Sequence, residues 1–286
     1  MTLIIGMKCK DGVILVADNK VTNLSNNKEK WISKFEQPLE TVPLYYGVAG
    51  YVHLFKEFNR KIPFTVNQRI REYELENYAR MKKAGVDYYQ AVEIKKDIQP
   101  EEIQSSSLTE DTKKPKEKKI KSKQLPSPPL VYGHEEFIED CQLLVKTLCR
   151  NEDGTCENKL EVLLILHDGK ETRLHTINYA NEEQANFAAL GSGSIFVNEF
   201  LEKFYNDDTE KSFDYCIKLA MFCILYVQKY VKDFSVGVPP NALPENRIIL
   251  DDGRMGVYKF DKEDEVLKEL NSKVAQFITL QDSLQF

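Results

Sequence analysis

The 286-residue chain is poor in the residues that build metal, redox or secreted scaffolds. Its six cysteines, at 9, 141, 149, 156, 216 and 223, contain no CxxC pair and no metal-ligand spacing. A zinc ribbon or a dithiol redox motif is thereby excluded. All but Cys156 sit in apolar segments and read as small core hydrophobes of a reducing compartment. The four histidines are scattered, so neither a metal nor a cofactor is expected. No apolar run approaches the ~20 residues that cross a bilayer. The start lacks the basic segment of a secretory signal. Basic excess is missing too: 39 Lys and Arg face 45 Asp and Glu, for a net charge of −6. A dedicated nucleic-acid binder carries the opposite sign. A cytoplasmic protein without membrane or nucleic-acid partners is the expectation.

What is present begins at the first residue. Two apolar runs, 3–7 and 13–17, flank Lys10-Asp11-Gly12. Runs of this length around an Asp-Gly step predict a β-hairpin with both strands largely buried. Thr2 heads the first strand, and a threonine is small enough to permit removal of Met1. A threonine with a free α-amine is a nucleophile and base in one residue, because the amine titrates at roughly 7.7–8.0 and can accept the hydroxyl proton. Taken alone, Thr2 reads more readily as an ordinary terminal residue.

Spacing gives Thr2 company. Asp18 closes the second strand sixteen residues on, and Lys34 follows after sixteen more. The series Thr2, Gly6, Lys10-Asp11-Gly12-Val13, Ala17-Asp18 and Lys34 resembles the N-terminus of proteasome β subunits, which belong to the N-terminal-nucleophile (Ntn) hydrolases. Two further stretches extend the likeness along the chain. Ala49-Gly50 is similar to the family's Ala-Gly at the entrance to its first helix. Gly191-Ser192-Gly193-Ser194 is similar to its G-S-G-S turn.

The resemblance implies Thr2 as nucleophile and, through its amine, as base. Lys34 would lie beside the Thr2 hydroxyl and favour the alkoxide, with Asp18 as its partner. The Gly50 N–H would supply the oxyanion hole, and Ser192 and Asp233 would position the amine. The family pattern Asp-x-x-Ser-Gly-Gly is altered here to Asp233-Phe234-Ser235-Val236-Gly237, with the serine one step early and one glycine lost. That departure touches the amine-positioning network. The implied activity is a threonine peptidase acting on peptides or unfolded proteins within a homo- or hetero-oligomeric ring. The start at Met-Thr, with no propeptide, is also similar to connectases, relatives that pass the acyl group to an amine. A peptide ligase is therefore the alternative enzyme, and a non-catalytic ring subunit the alternative without chemistry.

The rest of the chain reads as one domain, 1–286, at 42% hydrophobic content. Residues 19–30 read as a surface loop and 44–49 as a strand. A helix follows from 52 and breaks at Pro63; a second runs over 67–83. Residues 97–130 are rich in Lys, Ser and Pro, and read as a disordered insertion, either a solvated loop or a basic docking arm. Helical spacing returns at 135–149. Strands are predicted at 160–166, 171–179 and 187–190, helices at 195–205 and 213–232, strands at 247–250 and 255–260, and a last helix at 262–280. This order predicts an α+β domain with two stacked antiparallel sheets between helix pairs. The resemblance makes it the four-layer αββα sandwich of Ntn hydrolases.

Overall fold

The computed structural model describes residues 2–23, 28–39, 42–83, 134–157, 159–205, 209–231 and 236–284. The predicted insertion 97–130 lies outside them, as do Asp233 and Ser235.

The chain is a mixed α+β protein with antiparallel sheets. β1 (Leu3–Cys9) and β2 (Gly12–Ala17) form the expected hairpin, paired from Ile4–Ala17 to Cys9–Gly12. They lie inside a five-stranded sheet of order β10-β1-β2-β11-β12, where β10 is Phe187–Gly191, β11 Glu245–Leu250 and β12 Met255–Gly256. A second five-stranded sheet has the order β5-β6-β7-β8-β9. Its strands are β5 (Phe35–Glu36), β6 (Leu44–Gly50), β7 (Leu160–His167), β8 (Thr172–Ile177) and β9 (Glu182–Ala185).

β1 reads as an unbroken apolar run because both of its faces are covered. Leu3, Ile5 and Met7 join one buried cluster, whereas Ile4 joins another with Leu15, Tyr45, Leu163 and Leu174, which draws on both large sheets. Successive strand residues face opposite ways, so a strand covered twice has no polar alternation. The first cluster is closed by helices α3 (Ser194–Phe200), α4 (Phe213–Tyr226) and α5 (Glu263–Leu284). Wider π-helical turns extend α3 over Leu201–Tyr205 and α4 over Val227–Val231. The other face of the second sheet carries α1 (Val52–Lys83) and α2 (His134–Leu148). All five cysteines expected in the core are buried.

Three expectations from sequence fail, and one strand was not anticipated. Within the expected loop 19–30, the described residues form a two-stranded ribbon of β3 (Lys20–Asn23) and β4 (Lys28–Trp31), paired from Lys20–Trp31 to Asn23–Lys28. A polar ribbon satisfies its own backbone and leaves no apolar period to read. Helix α1 runs through Pro63. Leu54, Phe58, Ile62 and Val66 keep one buried face across that position, and their packing outweighs the hydrogen bond that proline cannot donate. The polar edge strand β9 has no apolar signature either. β12 stops at Gly256 because the buried Asn246 amide takes over the pairing: Tyr258 N–H donates to Asn246 Oδ1 at 2.7 Å, and Asn246 Nδ2 donates to Tyr258 O at 3.1 Å.

Candidate active site

The antiparallel register of β1 and β2 decides what meets Thr2. Ile4 lies opposite Ala17, so the residue entering β1 and the residue leaving β2 end side by side. Asp18 N–H donates to Leu3 O at 3.1 Å, and Leu3 N–H donates to Asp18 Oδ1 at 2.8 Å. On the other flank of β1, Leu3 pairs with Gly191. Gly191 has a φ of +97°, and a Cβ there would run into the Thr2 carbonyl oxygen. Only glycine lets β10 approach the Thr2 backbone so closely. The turn is then fastened by Ser194 Oγ, which donates to Gly191 O at 2.7 Å.

Asp18 is the centre of the site. It is wholly buried and accepts four hydrogen bonds. Thr2 Oγ1 donates to Oδ1 at 2.7 Å, alongside Leu3 N–H. Lys20 N–H and Gly237 N–H donate to Oδ2 at 3.1 and 3.3 Å. The Lys34 ammonium stands 4.0 Å from Oδ1 and donates to Lys20 O at 2.7 Å. Thr2 is 4% exposed and Lys34 7%. Burial raises the Asp18 carboxyl above its ordinary range, against the opposing pull of Lys34 and of its hydrogen-bond donors. Burial likewise lowers the Lys34 ammonium, against the attraction of Asp18. A hydroxyl, a carboxylate and an ammonium thus share one dry spot. The carboxylate orients the hydroxyl, and the ammonium sits close enough to favour negative charge nearby.

Lys34 is aimed by a residue that the sequence did not single out. Glu245, at the head of β11, accepts Lys34 N–H on Oε2 at 3.1 Å and Ser33 Oγ on Oε1 at 2.7 Å. Arg247 Nη2 holds the same Oε1 at 2.7 Å, and its guanidinium lies over the rings of Phe35 and Tyr45. Glu245 is more than two hundred residues from Lys34 in the chain, so no local pattern could announce the contact. Gly237 is the part of the altered Asp233–Gly237 stretch that is described, and its backbone N–H reaches Asp18.

The remaining expected residues stand as follows. Gly50 ends β6 exposed, at a φ of +137°, where a Cβ would strike the Lys159 carbonyl. Ser192 is half-buried, directly after Gly191. Asp233 is outside the described residues, and its place relative to Thr2 is not drawn. Among the described residues, no group of His, Cys, Asp and Glu could hold a metal ion. No helix among them is long and apolar enough to cross a membrane.

No protein-family model matches this chain, and no curated protein matches it. The chemistry of the site is therefore read from its own atoms. They offer one hydroxyl at the head of a strand, one fully satisfied buried carboxylate and one buried ammonium with lowered proton affinity.

Proposed function

We propose that this chain is a threonine-type peptidase of the proteasome β kind, with the four-layer αββα arrangement of Ntn hydrolases. The observation that carries the reading is the buried contact of Thr2 Oγ1 with Asp18 Oδ1 at 2.7 Å, on the same oxygen that faces Lys34 at 4.0 Å. Met1 is removed first, which frees the Thr2 α-amine. Thr2 Oγ then attacks the carbonyl carbon of a peptide bond, and its proton passes to that amine. The Gly50 N–H receives the developing oxyanion, and the Lys34 charge stabilises the alkoxide. The C–N bond breaks, the leaving amine takes the proton from the α-ammonium, and an ester remains on Thr2. Water gives a proton to the amine as it attacks the ester; the C–Oγ bond then breaks, the acid leaves and Thr2 Oγ takes that proton back from the α-ammonium. Asp18 touches the hydroxyl and holds Lys34; Ser192 and Asp233 orient the amine. The active unit is an oligomeric ring.

The test uses a peptide substrate, with intact mass recorded during turnover. A transient adduct of acyl mass on wild type, absent from Thr2→Ala, is the expected result. An added amine then separates two outcomes: free acid alone marks a peptidase, whereas the amide of the added amine marks a ligase. Absence of any adduct or product in the chain lacking Met1 contradicts both and leaves a non-catalytic subunit.

A further inference from the structure

A cleft of about 320 Å3 opens beside the candidate site. Trp31, Ile32, Pro239 and Leu243 give it apolar walls, and Ser33 and Glu245 a polar portion. Trp31 is 43% exposed and Ile32 42%. Two adjacent large side chains left partly open to water at the mouth of a polar site are apolar surface that a bound group can cover.

The cleft is joined to the catalytic constellation at three points. Asn19, another lining residue, directly follows Asp18. Its carbonyl accepts Ile32 N–H at 2.9 Å, and its N–H donates to Gly237 O at 3.0 Å. Ser33 directly precedes Lys34, and Glu245 holds the Lys34 backbone N–H. Whatever the cleft holds is therefore held next to Asp18 and Lys34.

Charge decides the class of occupant. The one carboxylate in the lining, Glu245, is already taken by Arg247, Ser33 and the Lys34 backbone. It has no unmatched charge with which to recruit a cation. An anion would face that same carboxylate. An uncharged, bulky side chain loses nothing there and covers Trp31 and Ile32. The volume is at the lower end for ligand sites, roughly 300–1,000 Å3, which suits one large side chain with its flanking backbone.

We propose that this cleft is a subsite for an aromatic or branched aliphatic side chain of a bound peptide, and that it anchors the segment beside the bond opened at Thr2. That the peptide is a substrate rests on the proposed reaction; that the cleft binds it does not.

Trp31 is the only tryptophan in the chain, so its emission reports occupancy directly. Thr2→Ala protein, which cannot turn a peptide over, is titrated with acetyl-Ala-Phe-Ala-amide, acetyl-Ala-Leu-Ala-amide and acetyl-Ala-Asp-Ala-amide. The Phe and Leu peptides should give a saturable blue shift, and the Asp peptide none. Ile32→Ser should weaken the Phe peptide by about tenfold, the effect of losing one apolar contact surface, at an unchanged melting temperature. A flat emission with all three peptides to millimolar concentration overturns the proposal, as does an equal response to Phe and Asp. A Phe-selective shift supports the cleft even where Thr2 proves unreactive. Labelling of Thr2 together with flat emission rejects the cleft and keeps the nucleophile.

Discussion

Asp18 and Lys34 are partners, but they do not depend on each other equally. Asp18 keeps four hydrogen bonds if Lys34 is removed. Among the described residues, the Lys34 ammonium keeps only the Lys20 carbonyl if Asp18 is lost. Leaving a buried charge without its partner costs about 3–5 kcal/mol. Asp18→Asn should therefore lower stability by about 3 kcal/mol or more, and Lys34→Met by clearly less, both read from denaturant midpoints. Equal losses would contradict this asymmetry. Catalysis should rank them differently, because Lys34 supplies the charge. Lys34→Ala should slow acyl transfer by roughly a hundredfold, and Lys34→Arg should rescue poorly, since a planar fork cannot replace a compact ammonium.

The same residue sets an alkaline limit. In the proposed reaction the Thr2 amine must be neutral to take a proton, so rate rises as pH passes through the range in which that amine loses its own. Lys34 must be charged, and burial has lowered its proton affinity, so its charge is lost at a lower pH than that of a free lysine. The rate profile should be a bell whose falling limb begins below the ordinary lysine range. In Lys34→Arg that limb should vanish from whatever activity remains. A second titration concerns the fold alone. His175 is buried, and neither of its ring nitrogens has a hydrogen-bond partner among the described residues, although Glu182 Oε2 lies 3.5 Å from Nδ1. Burial lowers its pKa to about 4, helped by His134 and Arg173 and opposed by Asp168. The unfolded chain binds this proton from about 6.5 downward, the folded chain only near 4. Stability from this group is thus full above pH 6.5, falls on acidification and levels off below 4. The loss amounts to about 3 kcal/mol. His175→Gln, neutral throughout, should flatten that limb in a melting-temperature series.

At the scale of elements, α1 shows packing overriding local chemistry. Phe58 is fully buried on its face and meets Tyr46 edge-on, with ring centres 5.4 Å apart. Phe58→Ala should cost about 3–5 kcal/mol; a loss under about 1 kcal/mol would show that the helix does not rest on this contact. What the sequence made legible was local and strongly patterned. The buried β1–β2 hairpin and the last helix, α5, could be read from spacing, whereas Gly50 and Gly191 were marked only by the family likeness and not by the positive φ they adopt. Polar ladders could not: β3, β4 and β9 are held by backbone bonds that any side chains permit. Nor could the tolerance of Pro63, because the buried cluster that holds α1 together includes residues of α2, far away in sequence. At the site, Thr2, Asp18 and Lys34 were legible as a series, and the structure brings them together. The Glu245 anchor was not, because a contact across two hundred residues leaves no mark on either stretch.

At the scale of the whole molecule, the chain places the head of β1 where β2, β10, β11 and the segment around Gly237 converge. Thr2 is thereby held by strands from both ends of the chain. The proposed ring adds an expectation about surfaces. Phe64 on α1, Leu143 on α2 and Ile195 on α3 are large apolar side chains left mostly exposed, and assembly would cover such groups. Light scattering at micromolar concentration should report an oligomer; a monomer would remove the ring and leave a stand-alone acyl transferase.

The proposed reaction stands or falls on Thr2 as a nucleophile. A β-lactone reacts by ring opening, so a nucleophilic hydroxyl keeps the whole reagent mass as an ester without any leaving group. Intact mass and N-terminal sequencing of the purified protein, before and after β-lactone treatment, test the claim most directly. The expected result is a chain beginning at Thr2, one added reagent mass on that residue, and no addition in Thr2→Ala. A chain that starts at Thr2 yet takes up no reagent would contradict it, and so would an adduct that survives in Thr2→Ala.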